Sequence, residues 1–543
     1  MKISIAQLSP SLGNINVNLA LIENACESAL KEGSDLIVFS ELFLTGYPPK
    51  DLLLSPYFKE CLSDAIEDLI KLSRSFSGLG ILVGLPFFED NLLYNGAFFL
   101  ENGKVIAKHR KQLLPNYDVF DEYRYFVPGI SSTSLVFKGF KMGLTICEDI
   151  WFSEGPQHIS LKQDNPIENL STENCDLIIN IAASPFERGK PSKRQEILSS
   201  HAMELKCPIL YVNQIGAYDE LIFDGHSLLM TAEGQLKVSL NGFEKQLSHF
   251  SLYDEVLCDH SDEKELSHVY SALVLGLSDY VHRCGFKKVV LGISGGIDSA
   301  LVAAIAVAAL GAENVVGIAM PSVFSSEGSL SDARQLAKNL GISLKEISID
   351  PIRERYHNAF KTLFDKDADK CQSLTLENIQ ARIRGDLLMA YSNESSSLLL
   401  TTGNKTEVAV GYCTLYGDMC GALNVIGDLY KEDVYSLSRF MNLEKIVIPE
   451  TIIKKAPSAE LRPDQFDEDS LMAYKELDVI VRFIIEEDED LQKLIDKGYQ
   501  KEDCEKVYRL IRQNEYKRQQ SSPILKVSKK AFGSGRRVMI TRS

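Results

Sequence analysis

The chain has 543 residues, 45% hydrophobic and 24% charged, which suits a soluble globular protein of roughly two to four domains. A formal net charge of −17 argues against a general nucleic-acid surface, and no apolar run reaches membrane-spanning length. Eleven cysteines without a Cys-x-x-Cys pair, nine scattered histidines and a strand-like start with no leader architecture fit reduced thiols in a cytoplasm, not a disulfide framework or a zinc site.

Taken in order, Ile3 to Gln7 reads as a first strand. Asn18 to Leu30 follows with helical periodicity, its Leu19, Ile22, Ala25 and Ala29 on one face. Asp35–Ser40 is a buried strand ending at Glu41. A helix near Phe58–Leu72 and strands at Ile81–Gly84, Gly96–Leu100, Lys104–Ala107, Met142–Ile146 and Asp176–Ile181 come next. A helix over Arg194–Leu205 and a strand over Ile209–Asn213 complete a layered α/β pattern. The polar stretch Ser153–Asn174 reads as a long surface insertion.

Three polar residues stand at strand ends in this half: Glu41, Lys111 and Cys147. Alone, each has an ordinary explanation, since such cysteines are usually small buried hydrophobes and such charges are usually solvated. Together, in this order and with these neighbours, they resemble the nitrilase (carbon–nitrogen hydrolase) superfamily, and an α-β-β-α sandwich is implied. The resemblance implies that Cys147 is a thiol nucleophile, that Glu41 would be the base it needs, and that Lys111 would be the positive donor to its tetrahedral oxyanion. Glu122, near Lys111 in sequence, is a candidate for orienting the site.

The acidic segment Asp254–Glu265 marks a connection between domains, and the amphipathic run Leu266–Cys284 opens the second one. The expected division is 1–250, a connection over 251–265, and 266–543. Lys288–Ile293 then reads as a buried strand and Ala300–Ala306 as a helix, with Ser294-Gly295-Gly296-Ile297-Asp298-Ser299 between them. Glycines there let the backbone bend and approach a ligand, and the amides of the helix start attract phosphate. The loop is neither a Walker loop nor a Gly-x-Gly-x-x-Gly turn. It resembles the pyrophosphate loop of the ATP pyrophosphatases. Strands at Val315–Pro321, Leu344–Ile349 and Leu398–Thr401, with helices at Leu330–Leu340 and Thr375–Tyr391, complete a doubly wound parallel sheet of Rossmann-like, adenine nucleotide alpha hydrolase type.

Further strings narrow the resemblance. Lys111-x-x-Leu-Pro-Asn-Tyr117, Ile146-Cys-Glu-Asp-Ile-Trp151, Ser184-Pro-Phe-x-x-Gly-Lys190, Glu377–Arg384, Thr401–Glu407, Tyr416–Asp418, Asp428–Lys431, Lys455–Leu461 and Glu515–Arg518 are similar to the two-domain glutamine-dependent NAD⁺ synthetases. The resemblance implies that Tyr117, Glu148, Ser184 and Lys190 hold glutamine, with Lys190 on its carboxylate and Glu148 on its α-ammonium. It implies that Gly292, Ile293, Ser294, Gly295, Gly296, Ile297, Asp298, Ser299, Thr402 and Lys431 bind ATP. Asn378, Glu407 and Lys517 would contact deamido-NAD⁺, and Asp298 and Glu407 would share Mg²⁺.

A small-molecule ligase is therefore expected, with no nucleic acid or membrane partner, cytoplasmic and homo-oligomeric on family grounds. Leu415 and Ser458 depart from the family wording, where single-domain members have lysine and the family often has threonine. An amidotransferase with another acceptor, or a scaffold of retired folds, are the competing readings. The basic tail after Lys517 fits either a cover over the dinucleotide site or a disordered or interface arm.

Overall fold

Short runs of Ile, Val, Leu and Phe bounded by turn residues become strands throughout the chain, and the computed structural model describes residues 1–152, 165–254, 265–365, 367, 370–463, 465, 471–487 and 491–541. It divides into two units, Met1–Tyr218 with Ile222–Glu263, and Asp219–Leu221 with Lys264–Ser543. Most of the Ser153–Asn174 segment and of the acidic connection, together with Arg542, lies outside the described residues.

The first unit holds β1 (Lys2–Gln7), β2 (Leu36–Phe39), β3 (Gly80–Glu89), β4 (Leu92–Glu101) and β5 (Lys104–Arg110). These are followed by β6 (Thr133–Phe137), β7 (Phe140–Ile146), β8 (Leu177–Ala182), β9 (Ile209–Asn213), β10 (Ile215–Tyr218), β11 (Leu221–Asp224), β12 (Leu228–Met230), β13 (Leu236–Ser239) and β14 (Gln246–Ser251). One six-stranded sheet runs β14-β1-β2-β3-β4-β5 and the other β13-β12-β9-β8-β7-β6, while β10 and β11 pair with each other. Alternate residues of both sheets point into one core, Ile3, Ile5, Leu36 and Val38 from the first meeting Met142, Leu144 and Ile179 from the second. Helices Ile15–Lys31 and Pro56–Leu72 pack on each other beside the first sheet, and Lys190–Leu205 packs on β12 of the second. The result is the expected α-β-β-α sandwich. Part of the supposed polar insertion is instead a helix, Pro166–Ser171, which buries Pro166, Ile167 and Leu170.

The second unit opens with the helix Glu265–Arg283 and centres on β15 (Val289–Gly292), β16 (Val315–Ala319), β17 (Ser343–Glu346), β18 (Leu398–Thr401) and β19 (Leu423–Asn424). The order β17-β16-β15-β18-β19 is parallel throughout, and the direction of winding reverses between β15 and β18. Ligands bind at such a switch point. The helix Ile297–Leu310, which follows β15, buries its Ile297 and every residue from Ser299 to Ala306, which explains its nearly unbroken small and apolar sequence. A second cluster joins Leu477, Ile480 and Val481 to Val507, Ile511, Ile524 and Phe532. The basic tail is therefore packed rather than loose as far as Phe532. Its Val527 and Ser528 amides donate to Asp428 Oδ2 at 2.8 and 2.7 Å.

Candidate active sites

In the first unit, three chain turns bring the strand-end residues together. Gly84 on β3 lies against the turn after β2: a Cβ there would stand 2.4 Å from the Ser40 carbonyl oxygen and 2.5 Å from the Leu42 nitrogen. Only glycine allows this approach, and it seats Glu41 inside the sandwich. Lys111 follows β5, its amide donating to the Asn95 carbonyl at 2.8 Å. Cys147 follows β7 and opens the single turn Cys147–Ile150 at φ +44°, a left-handed conformation that non-glycine residues adopt mainly where surroundings enforce it. Asp149 does the enforcing. Its carboxylate accepts the Ile146 amide at 2.9 Å and the Gln112 and Leu113 amides at 3.1 and 2.8 Å, tying the cysteine turn to the lysine segment.

The charges inside form a closed set. Lys111 Nζ donates to Glu41 Oε1 and to Glu122 Oε1, both at 2.7 Å, with all three side chains essentially sealed from solvent. Asn95 Nδ2 adds a bond to Glu41 Oε1 at 2.7 Å and the Ala183 amide one to Oε2 at 2.9 Å; Tyr47 donates to Glu122 at 2.9 Å. Burial opposes the charge on Lys111, but Glu122 and Glu41 outweigh it and hold the ammonium's pKa well above its ordinary value. Burial pushes the Glu122 carboxyl up to about 7 against the pull of Lys111. Burial, then the charge of Glu41, pushes the Cys147 thiol well above its usual range, so the resting sulfur keeps its proton and needs a base to lose it.

The residues expected to hold glutamine lie beside this group. Tyr117 donates to Glu148 Oε1 at 2.7 Å. Burial raises the Glu148 carboxyl's pKa, and the Lys190 charge acts against that rise. Lys190, first residue of its helix, donates to the Pro185 carbonyl at 3.0 Å and lies 5.8 Å from the centre of the Trp151 ring. Ser184 is buried, its amide bonded to Asn213 Oδ1 at 2.9 Å.

In the second unit, the glycine loop turns the chain from β15 into its helix. Gly295 has φ +78°, and a Cβ on it would stand 2.2 Å from the Ser329 carbonyl oxygen. Ser299 Oγ donates to the Gly296 carbonyl at 3.1 Å, and Ser294 Oγ accepts the Gly296 amide at 3.2 Å, so the two hydroxyls brace the bend from within. The loop borders a cavity of about 320 Å³. Gly292, Ile293, Ser294, Gly296, Ile297, Asp298, Ser299, Thr402, Glu407 and Lys431 all line it. Lys431 Nζ donates to Asp298 Oδ2 at 2.6 Å and to Glu407 Oε1 at 3.2 Å, and Asn404 Nδ2 holds Asp298 Oδ1 at 2.9 Å. Asn404 also caps the helix Lys405–Val410 that carries Glu407.

Two expected dinucleotide residues stand outside that lining. Asn378 accepts from Thr414 Oγ1 at 2.9 Å, and Lys517 Nζ donates to the Gly411 and Cys413 carbonyls at 2.7 and 2.8 Å. Both instead brace the segment 411–414, whose Tyr412 and Cys413 reach the cavity.

Other cavity residues had no role in the sequence reading. Glu460, at φ +49°, sets its carboxylate on the start of the helix Glu327–Leu340, accepting from Ser329 Oγ at 2.6 Å and Lys455 Nζ at 2.9 Å. Arg384 borders the cavity with Nε on the Met320 carbonyl at 3.1 Å, and burial holds its pKa down to about 10. In the first unit, Asn95 and Asp149 were missed. A lone asparagine in the apolar run Leu92–Glu101 was the available signal for the first.

Comparison with known proteins agrees with this geometry. The family profile described as carbon–nitrogen hydrolase matches residues 2–252, and the one described as NAD synthase matches 269–521. The glutamine-dependent NAD(+) synthetase of Synechocystis sp. is 43% identical, covering 100% of this chain and 98% of its own; that of Thermotoga maritima is 40% identical with the same coverage. The solved glutamine-dependent NAD⁺ synthetase of Acinetobacter baumannii, in complex with ADP, superposes with a TM-score of 0.78 at 38% identity over 99% of this chain and 98% of that one. The Cytophaga hutchinsonii structure, at 23% identity and a TM-score of 0.85 over 100% and 98% of the two chains, shares the fold. With both family profiles and full-length relatives in agreement, the chain belongs to the glutamine-dependent NAD⁺ synthetases.

Proposed function

We infer that this chain converts deamido-NAD⁺ to NAD⁺ with ATP and glutamine, releasing AMP, diphosphate and glutamate. The observation that carries the reading is the coexistence in one chain of a buried Glu41–Lys111–Cys147 set and a glycine loop bordering a cavity that also presents Asp298, Glu407 and Lys431.

In the first reaction the Cys147 sulfur attacks the side-chain amide carbon of glutamine while Glu41 takes the thiol proton. Lys111 donates to the oxyanion, and a second carboxylate, Glu122, keeps it charged as negative charge grows on the substrate. Glu41 returns the proton to the departing nitrogen, and ammonia leaves a thioester. Glu41 then deprotonates water, which frees glutamate and restores the thiol. Tyr117 and Glu148 hold the α-ammonium end, and Ser184 and Lys190 the carboxylate end.

In the second reaction a carboxylate oxygen of the nicotinate group attacks the α phosphorus of ATP. The bond to the β-phosphate oxygen breaks, and diphosphate leaves into the 294–299 loop, whose amides and helix start favour an anion. Ammonia then displaces AMP from the acyl carbon. Thr402 and Lys431 hold ATP; Asn378, Glu407 and Lys517 shape the dinucleotide side. Asp298 and Glu407 already converge on one cation, the Lys431 ammonium, so their donor set fits Mg²⁺. Among the described residues no group of three or more His, Cys, Asp or Glu gathers to hold a metal, so the ion would come with the phosphates. When bound, Mg²⁺ supplies neutralisation of phosphate charge.

The same reading places the glutaminase over 1–250 and the synthetase over 266–543, in a cytoplasmic, self-associating enzyme. No helix among the described residues is long and apolar enough to cross a membrane. The test is Cys147→Ala. Glutamine-driven NAD⁺ synthesis should vanish while synthesis from ammonium salts persists; loss of both would contradict two separate sites.

A further inference from the structure

Arg194 is among the largest side chains fully buried in the protein, and the reaction above gives it no part. A buried guanidinium is costly unless a carboxylate pairs with it. Here its two terminal nitrogens donate to the two oxygens of Asp224 at 3.1 and 3.2 Å, its Cζ lies 5.1 Å from the centre of the Tyr211 ring, and its Nε is buried without a hydrogen bond. Asp224 is itself fully buried and also takes His226 Nδ1 at 2.8 Å.

Two arms run from this carboxylate. Arg194 is four residues after Lys190 on the helix Lys190–Leu205, hence on the same face one turn along. The Arg194–Asp224 fork therefore fixes the first turn of that helix and the direction in which Lys190 leaves it. The other arm is Asn213, which closes β9. Its Nδ2 reaches Asp224 Oδ1 at 3.3 Å and the Gly225 carbonyl at 3.1 Å. Its other amide atom, Oδ1, accepts the Ser184 amide at 2.9 Å, and Nδ2 also reaches the Ser184 carbonyl at 3.3 Å. The peptide of Ser184 is thus clamped on both sides by a side chain that Asp224 orients. Glu41, Lys111 and Glu122 hold one another directly, and one bond comes from beside the clamp, that of the Ala183 amide to Glu41 Oε2 at 2.9 Å.

The geometry points to Asp224 as a positioning residue for glutamine, setting both residues assigned to its carboxylate end, Lys190 through Arg194 and Ser184 through Asn213. This rests on the reading of Ser184 and Lys190 given above. The network distinguishes a free α-amino acid from a plain amide: it acts on the end that only the amino acid has, and leaves the thiol chemistry alone.

The experiment compares full-length wild type with Asp224→Asn. Three readouts are taken: kcat and KM for glutamine, NAD⁺ synthesis from ammonium, and the rates at which Cys147 is alkylated by a diazoketone analogue of glutamine and by iodoacetamide. The expected result is a rise in glutamine KM of about tenfold or more, with a matching slowing of the analogue, because small misplacements of binding groups cost that much. Iodoacetamide labelling and ammonium-driven synthesis should stay at the wild-type rate. Equal slowing of both reagents would make Asp224 merely structural and overturn the inference, as would an unchanged glutamine KM. Should Asp224→Asn not fold, Asn213→Ala cuts the Ser184 arm alone, and the same split between reagents is expected. Lys190→Ala separates the premise: an unchanged glutamine KM there would remove the assignment of the site, and the inference with it. A raised KM there with an unchanged Asp224→Asn would overturn the inference alone.

Discussion

Lys111 sits between two carboxylates and is sealed from bulk solvent, so every partner counts. Replacing Glu41 by Gln keeps the size and the bonds from Asn95 and Lys111 but removes the base. Glutamine hydrolysis should then fall by about 10²–10⁴-fold, the usual contribution of a general base, while ammonium-driven synthesis is unchanged. A fall in both would place Glu41 in the fold rather than the chemistry. Lys405 makes a parallel case in the second unit, donating to Glu486 at 2.8 Å, to Ser528 at 2.6 Å and lying 2.9 Å from Asp428. Lys405→Met removes the nearest cation from the buried Asp428, which keeps its bonds from Val527 and Ser528, and should cost up to about 3–5 kcal/mol, seen as a lower unfolding temperature of the synthetase unit. An unchanged transition would show that the tail is held by other contacts. Asp224 carries a pH signature as well. Burial raises its pKa, but Arg194 and His226 outweigh burial and hold the carboxyl well below its usual range. A lowered native pKa gives stabilisation that is complete above the unfolded value of about 4 and is lost as pH falls through the native value. Thermal scans should therefore show the first unit losing stability below about pH 4, with a shallower loss in the double variant Arg194→Met/Asp224→Leu. Parallel curves would remove Asp224 from that transition. At this scale the candidate reactive groups were legible only as a set, through the family resemblance of Glu41, Lys111 and Cys147 with their neighbours, since each alone has an ordinary explanation. Of their supports, Asn95 carried one mark, a polar residue in an apolar run, while Asp149 and Asp224 carried none, since their role depends on strands far apart in the chain.

Two glycines decide how closely elements approach each site. At Gly84 the turn carrying Glu41 leaves no space for a methyl group, and at Gly295 the Ser329 carbonyl does the same with a left-handed backbone added. Gly84→Ala should lower glutamine hydrolysis by about 10²-fold while sparing ammonium-driven synthesis; Gly295→Ala should do the reverse. Equal loss of both activities in either variant would mean that the strain spreads through the fold. The elements themselves were readable where periodicity was strong. Ile209–Asn213 and Leu398–Thr401 have the expected bounds, and the helices Ile15–Lys31 and Ser373–Ser395 extend a few residues beyond their periodic cores. Capping explains the first extension: Asn14 accepts the Val17 amide and starts the helix before its apolar face begins. In the described part of the segment after Cys147, a short helix packs through Ile167 and Leu170, which its polar composition did not announce. For the tail, charge suggested either a cover over the dinucleotide site or a disordered or interface arm. Yet Ile524, Leu525 and Val527 are buried, and Lys526 buries its stem with its ammonium on the Ser528 and Lys529 carbonyls.

At the scale of the whole molecule, two chemistries share one chain because neither suffices alone. An ionised carboxylate is a poor acceptor for an amine until it is adenylated, and ammonia in bulk water is mostly protonated and unreactive. Asp298→Ala should therefore stop AMP formation while glutamine hydrolysis remains measurable; unchanged AMP formation would take Asp298 out of the phosphate site. The central claim is a transfer of nitrogen from one site to the other, and a labelled donor reports on it directly. With deamido-NAD⁺, ATP, Mg²⁺ and glutamine labelled with ¹⁵N in the side-chain amide, NAD⁺ should carry the label in its carboxamide, with AMP, diphosphate and glutamate formed in equal amounts. Unlabelled product, or AMP released only with some other acceptor, would contradict the account.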